Sequence, residues 1–259
     1  MKIQDINKLA VLYQQLSKGM IDHDKYTYYA ITHHSTAIEG STLTEKQAVN
    51  LLEYGTTAGS KPIEHHFMIL DYFKALEFTL KAAREEKAVT IPLLQAIASK
   101  VKINTGETVN TVLGTYETAK GDFRLGSVRA GTRTFPDHKK VPAMIKKLCD
   151  NINKEIQTAK SFEDRCNLAF KAHFDFVSIH PFGDGNGRTS RLLMNYIQAR
   201  FNLPLSIVFK QDRIKYVTAL ENARTKDDIT LFYKFMYNQY EKFLKTEINL
   251  LRSTPGKTR

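Results

Sequence analysis

The chain has 259 residues, 42% of them hydrophobic, enough for one large domain or a domain with an added arm. No apolar run approaches the ~18 residues a membrane-spanning helix needs, and Met1-Lys2-Ile3-Gln4-Asp5 is followed by no signal-like apolar stretch, so a cytoplasmic protein with no membrane partner is expected. The net charge of +11 suits an anionic ligand or an acidic partner; the basic residues are dispersed, without an aromatic-basic signature or a helix-turn-helix, which argues against a nucleic-acid partner.

In chain order, spacing predicts a first helix over 3–20, with Ile6, Leu9, Ala10, Tyr13 and Leu16 on its apolar face. A second is expected over about 24–39, closed by Gly40. Ser35 and Glu39 are four apart and share a face of it, and an acid at the negative end of a helix is electrostatically out of place. Thr44 and Gln47 form a capping box for a third helix that ends near Gly55. Pro62 suits the first turn of a fourth, running to about Lys87 on a stripe of Phe67, Leu70, Phe73, Leu76 and Leu80. Thr90 caps a fifth, with Pro92 in its first turn, that runs to about Lys102. Residues 104–120 show weak periodicity and read as a loop with room for one short helix.

Residues 121–136 change character. Val128, Ala130, Thr132 and Thr134 alternate with arginines and Gly131, the pattern of a short β-hairpin. Pro142 opens a helix to about Gln157, and Ser161 with Asp164 caps the next, whose apolar positions are Leu168, Ala169, Ala172, Phe176 and Ile179. After a glycine-rich connector comes a helix carrying Leu192, Leu193, Tyr196 and Ile197. Residues 203–209 form an apolar connector, Asp212 starts a helix through Tyr216 and Leu220, and a last helix covers 227–251 before a frayed tail. Cys149 and Cys166 fall in helical patterns and read as reduced, buried thiols. The pairs His33-His34 and His65-His66 are adjacent on helices and point apart, so neither is a natural metal site.

The connector His180-Pro181-Phe182-Gly183-Asp184-Gly185-Asn186-Gly187-Arg188-Thr189-Ser190-Arg191 concentrates the chemistry. Its glycines let the backbone turn and approach a ligand, and it enters a helix whose first N–H groups lack partners, an anion site. Arg188 and Arg191 are three apart and can clamp phosphate oxygens from one face. Asp184 offers a hard carboxylate suited to Mg²⁺ beside a polyphosphate. His180, with an ordinary pKa of ~6.5, can take a proton near neutrality. Base, metal ligand and phosphate cradle together suggest transfer of a phosphate-containing group to a hydroxyl.

This stretch resembles the signature of Fic-domain proteins, His-x-Phe-x-Asp/Glu-Gly-Asn-Gly-Arg-x-x-Arg, at His180, Phe182, Asp184, Gly185, Asn186, Gly187, Arg188 and Arg191. The resemblance implies an all-α fold, a Fic-type helical bundle with a short β-hairpin flap beside the active site. It implies AMP transfer from ATP, with Mg²⁺, to a Ser, Thr or Tyr hydroxyl of a protein target, with His180 as base. Asp184 would hold the metal, and Gly185, Asn186, Gly187, Arg188 and Arg191 the phosphates. The target would pair with the flap at 128–134, whose Ala130, Gly131, Thr132 and Arg133 border the nucleotide; Tyr216 and Val217 fall where relatives wall the adenine, and Arg224 where some carry an Asn. Ser35, Glu39 and Gly40 resemble the family's inhibitory motif, in which the Glu pairs with the second arginine, here Arg191. The implied organisation is a helical region at 1–90 bearing the inhibitory helix at about 24–40, a core at 91–240, and a helix end with tail at 241–259; a homodimer is allowed. Rival readings are a de-AMPylase using Glu39 and His180, a transferase of phosphate or phosphocholine, disfavoured by the intact Gly185-Asn186-Gly187, and a basic nucleic-acid-binding regulator with a vestigial site.

Overall fold

The structure, a computed structural model, describes residues 2–20, 22–130 and 133–253. Among these, ten α-helices run α1 Ile3–Ser17, α2 His23–Ile38, α3 Glu45–Tyr54, α4 Ile63–Arg84, α5 Ile91–Lys102, α6 Val141–Thr158, α7 Phe162–Ile179, α8 Asn186–Arg200, α9 Arg213–Thr225 and α10 Thr230–Ser253. None is long and apolar enough to cross a membrane.

Helix α8 is the axis of the bundle. It is buried all round, from Arg188 to Gln198, as befits a helix enclosed by others. It packs against α4, α5 and α7 and touches α2. Its polar residues keep partners inside: Gln198 and Ser206 exchange bonds at 2.6 and 2.8 Å, and Asn195 donates to the Ser206 carbonyl at 3.0 Å. The Tyr196 hydroxyl donates to the Lys87 carbonyl. Helices α1 and α10 pack as a pair, and α10 runs through residue 240 without a break.

The caps form as their side chains dictate. Thr44 and Gln47 bond reciprocally at 3.3 and 2.9 Å, and Ser161 and Asp164 at 3.0 Å each way. Helix α1 ends at Ser17, three residues before the expected limit, because Lys18 is extended and Gly19 takes a φ of +79°. Cys149 and Cys166 are free and buried.

Residues 104–120 depart from the expected loop. They form a hairpin, β1 Thr108–Thr111 with β2 Gly114–Glu117, in the register Thr108↔Glu117 and Val109↔Tyr116, followed by a 3-10 turn at Thr118–Lys120. The strands are four residues long and Tyr116 alone is buried, so no apolar alternation marks them. The expected hairpin at the flap is present as β3 Arg129–Ala130 and β4 Arg133–Thr134, paired Arg129↔Thr134 and Ala130↔Arg133. Gly131 and Thr132 lie outside the described residues.

Candidate active site

Arg124 joins the flap to the glycine loop. Its side chain is fully buried, and its guanidinium donates to the carbonyls of His180 at 2.8 Å, Gly126 at 2.6 Å and Pro136 at 2.6 Å. Its N–H donates to the Pro181 carbonyl at 3.0 Å, and Phe123 bridges Phe182 as an antiparallel pair. A buried guanidinium is tolerable when its donors are spent on carbonyls in this way.

His180 ends α7 in the left-handed region, φ 55°, its N–H donating to the Phe176 carbonyl at 3.0 Å. That turn carries the ring out of the helix line and onto Phe135, stacked at 3.9 Å between centroids. Arg133 lies over the other partner of the stack, 4.3 Å from the Phe135 centroid. Burial pulls the His180 imidazole down to about 4, and the guanidinium groups of Arg124, Arg133 and Arg224 push the same way. A hydrogen bond with the Val177 backbone opposes the shift without overturning it, so the ring is neutral at neutral pH. A neutral imidazole is what a general base requires.

The loop then folds on itself. The Asn186 side chain accepts from the Phe182 N–H at 2.9 Å and donates to the Phe182 carbonyl at 2.8 Å, a clamp across the turn. Gly185 caps α8 at φ +80°, a conformation that penalises side chains. A Cβ added at Gly187 would lie 2.5 Å from Glu39 Oε1, so any side chain there would have to push that carboxylate aside. Glu39 thus sits directly over the start of α8.

Two arginines of α8 face this turn. Arg188, with a side chain 4% exposed, reaches Asp184 at 3.1 Å, while its Nε and Nη1 are buried without partners. Arg191, 3% exposed, donates to Ser35 Oγ at 2.8 Å, the Ser35 carbonyl at 3.0 Å and Glu39 Oε1 at 2.7 Å. Burial alone would weaken its hold on the proton, but the Glu39 carboxylate, with Tyr216 and Tyr72, raises it above the usual arginine value. Ser35 and Glu39 therefore converge on Arg191; Gly40, at φ +106°, turns the chain away after them. Asp184 accepts from Lys102 at 2.5 Å and from the Gly185 N–H at 2.5 Å, besides Arg188. Burial would raise its carboxyl, yet Arg188, Lys102 and the Gly185 N–H outweigh that and hold it down to about 2. Among the described residues no group of three His, Cys, Asp or Glu side chains is placed to hold a metal, so Asp184 is a lone carboxylate.

The remaining expected residues are more dispersed. Arg133 turns from the flap tip toward α7 and α9, 3.4 Å from the Ser178 carbonyl and 3.5 Å from Glu221. Ala130 enters the site through its backbone pairing with Arg133. Tyr216 packs inward, its hydroxyl 2.8 Å from His173 Nε2, while Val217 is 44% exposed on α9. Arg224 is engaged with Ser178 Oγ at 3.1 Å and Glu221 at 3.0 Å. Lys102 and Phe135 escaped the sequence reading. Lys102 looks like any last-turn lysine, and Phe135 is one aromatic beyond the alternating stretch.

Residues 89–198 match the Fic/DOC family. Over 221 residues the chain is 33% identical to the protein adenylyltransferase Fic of Drosophila willistoni and equally to that of Drosophila melanogaster, an alignment covering 85% of this chain. It takes in 41% and 42% of those two proteins, so this chain spans well under half of the curated relatives it matches. Among solved structures, a Fic domain containing signaling protein from Bacteroides thetaiotaomicron is similar at a TM-score of 0.82 and 20% identity, covering 97% of this chain and 98% of that one. Fic-1 from C. elegans is similar at 0.78 and 24%, covering 98% and 73%. At these identities the likeness speaks for the fold, a helical bundle with a hairpin flap.

Proposed function

Because this chain belongs to the Fic/DOC family through its domain at 89–198, we propose that it is a protein adenylyltransferase moving AMP from ATP to a Ser, Thr or Tyr hydroxyl of a target protein, restrained by Glu39. One observation carries the reading: a single loop has a neutral histidine on one side and a buried arginine with two unpartnered nitrogens on the other. Unsatisfied buried donors at a helix start call for an anion, and the relatives' activity makes that anion a triphosphate.

In this reading the phosphates rest against the Gly185-Asn186-Gly187 turn, on the N–H groups of Asn186 and Gly187 since that of Gly185 is held by Asp184, and Arg188 and Arg191 orient the outer ones. His180 takes the proton of the target hydroxyl as its oxygen bonds to the α-phosphorus. The bond from that phosphorus to the bridging oxygen breaks, and pyrophosphate leaves. Positioning and charge stabilisation supply most of the rate. A lone carboxylate fits Mg²⁺, which takes one or two protein carboxylates and fills its shell from phosphates and water. Asp184 would hold it, and the ion would offset phosphate charge. The flap strands Arg129–Ala130 and Arg133–Thr134 offer edges for target pairing, and Val217, exposed on α9 beside the inward-packed Tyr216, is offered to the adenine.

The test uses ATP labelled at the α-phosphate and a Glu39→Gly background. Adding His180→Ala should abolish labelling of protein, and labelling at the undiminished rate would overturn the assignment. Wild-type protein that instead removes AMP from a pre-labelled target would give Glu39 a de-AMPylating role.

A further inference from the structure

Lys102 is the last residue of α5, and nothing in the glycine-loop signature includes it. Its side chain is 10% exposed, a depth lysine seldom reaches without an ion partner. The stem lies against the loop: a Cβ added at Gly185 would meet Lys102 Cγ at 3.4 Å. The ammonium donates to Asp184 Oδ2 at 2.5 Å, and Arg188 donates to the same oxygen at 3.1 Å. Asp184 Oδ1 takes the Gly185 N–H at 2.5 Å. Both oxygens of the lone carboxylate are therefore engaged, one of them by two cations.

A divalent cation arriving alone meets an ammonium and a guanidinium on one oxygen of the carboxylate and a backbone N–H on the other. A triphosphate changes the balance, since it offers both cations new anionic partners beside the carboxylate. We propose that Lys102 is a positioning residue that occupies Asp184 in the free protein and passes to a phosphate oxygen when the triphosphate binds, so that a divalent cation is admitted to Asp184 only together with nucleotide. This rests on the reading of the loop as an ATP site.

The experiment titrates Mn²⁺ alone into the full chain, without nucleotide, and reads free Mn²⁺ by electron paramagnetic resonance. Lys102→Met keeps the stem against Gly185 and removes the charge. It should bind Mn²⁺ at least about tenfold more tightly than wild type. Lys102→Arg should restore the weak wild-type binding, and adding Asp184→Asn to Lys102→Met should erase the gain; a merely structural lysine predicts neither. Calorimetry with ATP in chelator should show Lys102→Met binding about tenfold more weakly than wild type. Coincident Mn²⁺ curves for wild type and Lys102→Met, with ATP bound by both, would overturn the role of Lys102 and leave the site reading standing. A wild type that binds no ATP would remove both. Should Lys102→Met fail to fold, Lys102→Gln serves in the same comparison.

Discussion

A guanidinium as deeply buried as that of Arg191 needs an anion, and Glu39 supplies it from 152 positions away in the chain, at 2.7 Å. Under the proposed reading, a γ-phosphate of ATP would want the same donors. A hydrogen bond to a charged group contributes about 1.5–3 kcal/mol, enough to tilt bound ATP between a reactive and an unreactive pose. Glu39→Gly should therefore raise auto-AMPylation about tenfold or more, measured by mass spectrometry of purified protein with Mg-ATP; an unchanged or lower signal would end the inhibitory reading. The residues of this contest were legible beforehand because their chemistry is compressed into twelve consecutive positions and one short helix end. Lys102 was not, since its meaning comes from Asp184, 82 positions away, and a lysine in a last helical turn is ordinarily solvated. Arg124 stands in the stretch of changed character at 121–136, but its three carbonyl partners belong to the folded chain alone.

Local signals fixed the elements where a side chain closes a helix by itself. Ser161 accepts from the Asp164 N–H at 3.0 Å and starts the helix that delivers His180. Ser161→Ala should cost about 1 kcal/mol, seen as a lower urea midpoint at unchanged slope; a midpoint within error of wild type would show that tertiary packing, not the cap, holds α7. The reading failed where pairing depends on partners the strands do not advertise. β1 and β2 carry one buried side chain between them, Tyr116, and are held by ladder bonds and by Asn110 with Thr115 at 2.7 Å. The flap was more legible because its alternation is longer than the four strand residues that pair.

Burial lowers the proton affinity of several histidines of the fold, His23 among them. Burial lowers His33 to about 4, His34 to about 3 and His180 to about 4, and His173, stacked on Phe232, lies well below its ordinary range for the same reason. In the unfolded chain each takes a proton near pH ~6.5. Between that pH and about 4 the unfolded state binds more protons, so stability rises with pH and is lost as pH falls through this window. Asp184 and Asp212, held down to about 2 in the fold, lose their contribution only at lower pH, once carboxylates of the unfolded chain protonate. The melting temperature followed by circular dichroism should thus drop between pH 7.5 and pH 5; a flat profile would mean that these rings are solvated in solution. The fastening of the flap carries its own consequence. One guanidinium, that of Arg124, bolts the segment after the hairpin, at Pro136, to the carbonyl of the imidazole-bearing residue. Should an acceptor protein pair with that ribbon as proposed, its seating and the aim of the ring would share this one guanidinium.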